Sequence, residues 1–336
     1  MNSDDHLYKQ PLLAVYMCTY NHGLFVAKAI ESVLAQKTTF PFVYFIGEDC
    51  STDNTRAICL DYQSRYPEII KVFCTKENNM MQNATNLWNA CAESGVKYIA
   101  MYEGDDFWID EYKLQKQVDF MEENPEFTLC FSNLEVKDEL GHNRKVEKYM
   151  PHLNKDVLTI EDFILSFASL TRTSTMVFRN VLPHPMPDFY MTTMSGDVLI
   201  TMLLTDKGKA KYFKEQMVVY RNHRGGITKT QYNVQNGNKE LMKLYHNLNK
   251  YFDYRYDKIF KKRFLENAKI NLVYGAKKKK GLSRLKHYFN TIPNYIKYSD
   301  NINYKELLYY HIVLFCPIVL KLFKSTMIHD SDEYGY

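Results

Sequence analysis

The chain has 336 residues, 46% hydrophobic and 24% charged, with 13 glycines and 10 prolines, which excludes collagen-like and disordered classes and leaves room for two domains or one large α/β domain with a tail. Seven cysteines without a C-x-x-C spacing exclude a zinc ribbon and a disulfide framework, so a reducing compartment is expected. The net charge of +4 is segregated: between Leu241 and Asn290, 14 Lys or Arg stand against three acidic residues, and the rest of the chain is net acidic.

The opening MNSDDHLYKQ is polar and acidic, unlike the basic and then apolar start of a secretory signal. Leu12–Cys18 is a short apolar run of buried-strand type, and Leu24–Ala35 carries apolar residues at helical spacing. Phe42–Gly47 reads as a second strand and Asn54–Arg65 as a helix that Asp53 can cap. Ile69–Cys74 is a third strand, Asn83–Ser94 a third helix and Lys97–Tyr102 a fourth strand. This βαβαβαβ order predicts a mostly parallel sheet covered by helices on both faces, with ligands at the carboxyl ends of the strands. Further on, Tyr112–Asn124, Ile160–Ser169 and Asp197–Asp206 read as helices, and Phe127–Asn133, Ser174–Arg179 and Gln216–Arg221 as strands. Glu135–Lys155 is a polar excursion, and from about Asn233 the chain is helical and basic. A nearly continuous apolar run, Leu307–Phe323, stands at the lower limit of a membrane-spanning length; it suits a helix lying in a membrane interface or docked on the protein.

Absences narrow the chemistry. No G-x-G-x-x-G follows the first strand, and there is no P-loop, H-E-x-x-H or G-x-S-x-G, so dinucleotide redox enzymes, P-loop kinases, zincins and serine hydrolases lose ground. The strand-end loops remain. Cys18, Thr19, Tyr20 and Asn21 sit beside the free N–H groups of a helix start, where a nucleotide binds well and a plain Asn turn also fits. Glu48 and Asp49 leave the second strand at an exposed end. Ser51 and Asp53 can cap the next helix, but capping leaves Asp49 unexplained, so it is a candidate for base or ribose recognition. The fourth strand ends in Glu103, Asp105 and Asp106, three acids in four positions, which a divalent cation carrying a diphosphate would neutralise. Asp197 begins a helix. His223 stands between Arg221 and Arg224 before a Gly-Gly pair, the His suited to a metal and the arginines to phosphate.

Together CTYNHGLFVAKAIESVLAQ, GEDCSTDNT, KYIAMYEGDDFW, TSTMVFRN, GDVLI and YRNHRGGIT resemble the family 2 glycosyltransferases over about residues 11–228, in order and spacing. The resemblance implies a GT-A nucleotide-sugar fold over 11–232, with a donor half 11–110 and an acceptor half 111–232. A tail 1–10 precedes it and a helical, basic region 233–336 follows, with the apolar helix 307–323. It implies a hexosyltransferase-type enzyme using a nucleotide-diphospho-sugar, UDP-linked by preference, and Mn²⁺ or Mg²⁺. Cys18, Thr19, Tyr20, Asn21, Asp49, Ser51, Asn83 and Asp105 are its implied donor residues, with Asn86 a further candidate. EGDD is similar to the family's DxD element with Glu103 in place of the first Asp; Glu103, Asp105, Asp106 and His223 are the implied metal residues and Asp197 the implied base. Arg221 and Arg224 remain phosphate candidates. Expected partners are the donor, a saccharide or lipid-linked acceptor, and the inner face of the cytoplasmic membrane, with no nucleic acid. Two other readings stay open: a nucleotidyltransferase, and a non-catalytic sugar-nucleotide-binding protein on the same fold.

Overall fold

The computed structural model describes residues 10–138, 141–144, 153–166, 170–193, 195–226, 234–278, 281–299 and 308. The sequence-based readings of the tail 1–9, of AKKKKG (276–281) in part, and of the apolar run 307–323 apart from Leu308 lie outside them. The chain divides into two compact units, one ending at Gly237 and the other beginning at Asn238.

In the first unit, β1 (Leu13–Thr19) has no exposed residue because Leu13, Ala14, Val15 and Met17 are covered on both faces. It pairs in parallel with β2 (Phe42–Glu48) and β4 (Tyr98–Glu103), and β3 (Ile70–Cys74) adds to β2. The register places Thr19 opposite Glu48 and Cys18 opposite Glu103, so three strand ends reach one sheet edge side by side. That register, set by the apolar strands behind, is why loops distant in sequence meet. Helices α1 (Val26–Leu34), α2 (Thr55–Arg65) and α3 (Met80–Glu93) make the crossovers.

Beyond β4 the sheet continues. The short β5 (Phe107–Trp108), α4 (Lys113–Glu123), β6 (Phe127–Asp138), β7 (Val157–Leu158), α5 (Ile160–Leu165), β8 (Val177–Arg179), α6 (Gly196–Thr205) and β9 (Lys209–Asn222) complete it in chain order. The nine strands run β3-β2-β1-β4-β8-β6-β9-β5, with β7 also on β9. The antiparallel pairings of β8, β5 and β7 are only two or three residue pairs long, so the sheet is mostly parallel, as the alternating pattern implies.

Two strands exceed their sequence-based limits. β9 starts seven residues before Gln216, because Lys209–Glu215 alternates buried Ala210 and Tyr212 with exposed charges rather than forming an apolar run. β6 continues to Asp138 alongside it. Conversely, Thr173–Thr175 is a 3-10 turn ahead of β8. The last described part is helical: α7 (Val234–Tyr251), α8 (Asp257–Lys278) and α9 (Gly281–Tyr298). Ala268 and Leu272 of α8 pack with Tyr288 and Tyr295 of α9.

Candidate active site

Two loops form the floor of the site and are tied to each other. Asn21, in the left-handed region at φ 54°, accepts hydrogen bonds at Oδ1 from Thr52 N (2.8 Å) and Oγ1 (3.2 Å), and its own N–H donates to Ser51 Oγ (3.0 Å). Asn and Asp tolerate that conformation better than other non-glycine residues. Gly23 N donates to Asp53 Oδ2 (2.9 Å), and Asp53 Oδ1 accepts from Thr55 N. Asn21 and Ser51 thus have partners within the protein. Asp53 serves the start of α2 from just outside it, with Asn54 in the cap position. Thr19 is buried, whereas Tyr20 is 39% exposed beside it. Cys18 donates its thiol to Tyr16 Oη (3.5 Å), and burial pushes that thiol up to about 12.

The expectation that Glu48 and Asp49 leave the strand end exposed is corrected: both are buried. Glu48 pairs with Arg56 and accepts from Ser51 N (2.6 Å). Asp49 Oδ1 accepts from Thr75 Oγ1 (3.1 Å) and Asn79 N (2.9 Å), tying β2 to the start of α3. A buried carboxylate needs such donors, and the folded loop after β3 supplies them. Asn83 is buried where α3 crosses β2 and donates to Gly47 O (3.0 Å); Asn86 faces outward and accepts from Gln82.

The EGDD loop gives each acid a different environment. Asp106 is buried, with Ser174 Oγ donating to Oδ2 (2.6 Å) and Arg221 N to Oδ1 (3.0 Å). Burial pushes its carboxyl well above the usual carboxylate range, and the charges of Asp105 and Glu103 add to this. Burial acts on Asp105 too, but the hydrogen bond with His223 and the charges of His22 and His223 outweigh it and hold its carboxyl below the ordinary value. Glu103 is pushed up to about 8 by burial and then by the charges of Asp105 and Asp197, against a hydrogen bond from Thr173 and the charge of Arg172. The effect of Asp197 brings the first turn of α6 to this loop.

His223, at the end of β9, lies with Nε2 2.9 Å from Asp105 Oδ2, and Phe25 packs on its ring at 4.8 Å. Arg221 donates from its guanidinium to Asp105 O (2.8 Å) and sits over the Phe25 and Phe107 rings. Both its N–H and its side chain go to the EGDD loop, whereas Arg224 is exposed. Two groups of side chains sharing Asp105 have ligand atoms within 4.8 Å of one another: Glu103, Asp105 and Asp106, and His22, Asp105 and His223. Asp105 Oδ1 is buried with no hydrogen-bond partner. An orphaned carboxylate oxygen among carboxylate and imidazole donors fits a divalent cation.

The structure therefore brings Thr19, Glu103, Asp105, Asp106, Asp197, Arg221 and His223 to one edge, while Asn83 stays behind β2. Sequence reasoning passed over His22, Arg172, Thr173 and Ser174. His22 lay inside CTYNHG but past the residues that strand-end logic selects, Ser174 was counted toward a strand, and Thr173 stood just ahead of it.

The family model for Glycosyl transferase family 2 matches residues 14–182. The Mycobacterium tuberculosis protein Rv1520 is 29% identical over 225 residues, 66% of this chain and 61% of its own length, so the chain spans about three fifths of that relative. The putative teichuronic acid biosynthesis glycosyltransferase TuaG of Bacillus subtilis is 34% identical over 114 residues, 34% of this chain and 43% of TuaG. Among solved structures, Staphylococcus aureus TarS 1–349 in complex with UDP-GlcNAc shares the fold with a TM-score of 0.59 at 15% identity, covering 85% of this chain and 81% of that one.

Proposed function

The chain belongs to glycosyl transferase family 2, and from that premise we propose that it transfers a hexose from a nucleotide-diphospho-sugar to an acceptor hydroxyl with inversion of configuration. The observation that carries this reading is the position of Asp105: a partly buried carboxylate whose buried Oδ1 has no hydrogen-bond partner, at the end of a parallel strand and grouped with His22 and His223. Ligands bind at that edge in open α/β sheets.

Thr19, Tyr20 and Asp49 line or shape the nucleotide side, with the exposed ring of Tyr20 offering a stacking face for a base. Asp197 accepts the proton of the acceptor hydroxyl as that oxygen attacks the anomeric carbon from the side opposite the departing diphosphate. A divalent ion, when bound, offsets the negative charge growing on the leaving diphosphate. Asp105 would hold it, with the neighbouring carboxylates or the neighbouring imidazoles completing the set, and Arg221 and Asp106 brace the loop that presents Asp105.

A UDP-sugar is the favoured donor, in keeping with the UDP-GlcNAc complex of TarS, and a cell-surface polysaccharide or its lipid-linked precursor is the favoured acceptor, in keeping with TuaG. A peripheral place on the inner face of the cytoplasmic membrane suits such an acceptor and the basic segment between Leu241 and Asn290.

The test is a thermal-shift panel with UDP-, GDP-, CMP- and dTDP-linked sugars, each with Mn²⁺, Mg²⁺ or EDTA. A ligand at 100 times its Kd stabilises by about 2.7 kcal/mol, a readily measured shift. Stabilisation by one nucleotide class with metal and its loss in EDTA is expected; no response to any of the donors contradicts the transferase reading.

A further inference from the structure

The donor set around Asp105 contains one side chain that sequence reasoning passed over. His22 lies just after β1; its ring is edge-on to that of His223, with centroids 6.1 Å apart, and its Nε2 is 3.7 Å from Asp105 Oδ2. That gap is beyond hydrogen-bond length. Its other nitrogen, Nδ1, is 3.2 Å from Thr19 Oγ1. With the ring hydrogen on Nδ1 and donated to that hydroxyl, Nε2 turns its lone pair toward Asp105. This is the arrangement in which metal-bound histidines are usually held.

The backbone protects the arrangement. Gly104 lies so close that an added Cβ would stand 2.4 Å from Thr19 Oγ1 and 3.0 Å from His22 Nδ1, so a side chain at 104 would displace the pair. Gly104 N also donates to Cys18 O (3.0 Å), fixing the EGDD loop against the β1 end.

The alternative all-carboxylate set is weaker by its own geometry. Both oxygens of Asp106 already accept, from Ser174 Oγ and Arg221 N, so Asp106 faces the protein. That leaves Glu103 and Asp105. The imidazole set keeps Asp105, whose Oδ1 has no hydrogen-bond partner, and adds two imidazoles, one ligand atom from each of the three residues lying within 4.8 Å of the others.

We propose that His22 is a direct metal ligand, so that the ion is held by His22 Nε2, Asp105 and His223 Nε2. The inference rests on the metal-assisted reading above and specifies its ion site. Two imidazoles and one carboxylate suit Co²⁺, and Mn²⁺ better than Mg²⁺, which prefers all-oxygen surroundings. The other coordination positions remain open to phosphate oxygens and water.

Pulsed EPR of Mn²⁺ bound to the full-length protein, with and without UDP, counts the coordinated imidazole nitrogens without any activity readout. Two are expected in the wild type and one in His22→Gln and His22→Ala. Mn²⁺ affinity by calorimetry should fall at least about tenfold in these variants, since losing even an outer partner of a ligand costs 10- to 100-fold, and Mg²⁺ affinity should fall less. The wild-type count needs no variant, so a substitution that impairs folding leaves the test intact. A single imidazole in the wild type, a count unchanged in His22→Gln, or no Mn²⁺ bound under either condition overturns the proposal. The donor panel separates the two readings. A one-imidazole site in a protein stabilised by a UDP-sugar sinks the His22 assignment alone, whereas a two-imidazole site in a protein that no nucleotide sugar stabilises sinks the transferase reading alone.

Discussion

Asp197 and Lys113 are both ionisable side chains near the sheet edge, and burial gives them different work. Asp197 lies in the first turn of α6, and its charge reaches Glu103. Asp197→Asn keeps the shape and removes the base. Turnover is expected to fall by about 10² to 10⁴ with donor affinity unchanged, as kcat and a donor Kd would report; an equal loss of donor affinity contradicts the role of base. Lys113 is fully buried at the start of α4, 4.5 Å above the Trp108 ring, and donates to Gln117 Oε1 (2.7 Å). Burial pushes its amine down to about 7, against about 10.4 in an unfolded chain. Between those values the unfolded chain holds a proton that the folded chain lacks, so this residue's contribution to stability rises with pH from about 7 to about 10. Denaturant melts across that window should show wild type gaining on Lys113→Met by a few kcal/mol, at about 1.4 kcal/mol per pKa unit; parallel curves would refute the assignment. The acids of EGDD stood out because they cluster at the end of a parallel strand, whereas Asp197, which helix capping alone would explain, was singled out by the family resemblance. His22 and Ser174 were not legible, because a lone histidine or serine in a loop carries no signal until its neighbours are known.

At the scale of elements, the short β8 carries more than its three residues suggest. Arg179 at its end donates to Phe127 O (2.8 Å), to Tyr98 Oη (3.1 Å), and to the carbonyls of Met121 and Asn124, joining β4, β6 and the end of α4. A lysine offers a single point of charge in place of that planar fork and leaves carbonyls unpaired. Arg179→Lys is expected to destabilise by about 2 to 4 kcal/mol in urea melts, on the cost of unmade buried hydrogen bonds, with metal affinity retained in the folded fraction. A cost under about 0.5 kcal/mol would contradict the account. The parallel core strands were legible as apolar runs. β9 was not, since half its length alternates charged and buried residues, and the 3-10 turn that delivers Ser174 to Asp106 leaves no periodic trace.

Across the whole molecule, charge is divided between the two units. The excess of Lys and Arg between Leu241 and Asn290 falls after Gly237. Among the described residues no helix is long and apolar enough to cross a membrane. The proposed peripheral attachment would rest on the basic segment between Leu241 and Asn290, at about 1 kcal/mol per Lys or Arg near an anionic surface. Cosedimentation with vesicles containing anionic lipid is expected at low salt and should be lost near 1 M salt, where the screening length is about 3 Å. A fragment ending at residue 232, which holds the whole sheet, should stay in solution and still respond to donor and metal. Vesicle binding by that fragment, or none by the full chain, would contradict the assignment of the basic region.

The sequence by itself determined the alternating α/β architecture, because buried strands and amphipathic helices have different periods. It also determined that acids gather at the ends of those strands. The tertiary structure decided what each acid does. Asp49 and Asp106 receive donors from segments 26 and 68 residues away and turn inward, whereas Asp105 meets His22 and His223 and keeps one oxygen free. Burial and hydrogen bonding set the charge and direction of a carboxylate, and both are properties of neighbours that only the folded chain brings together.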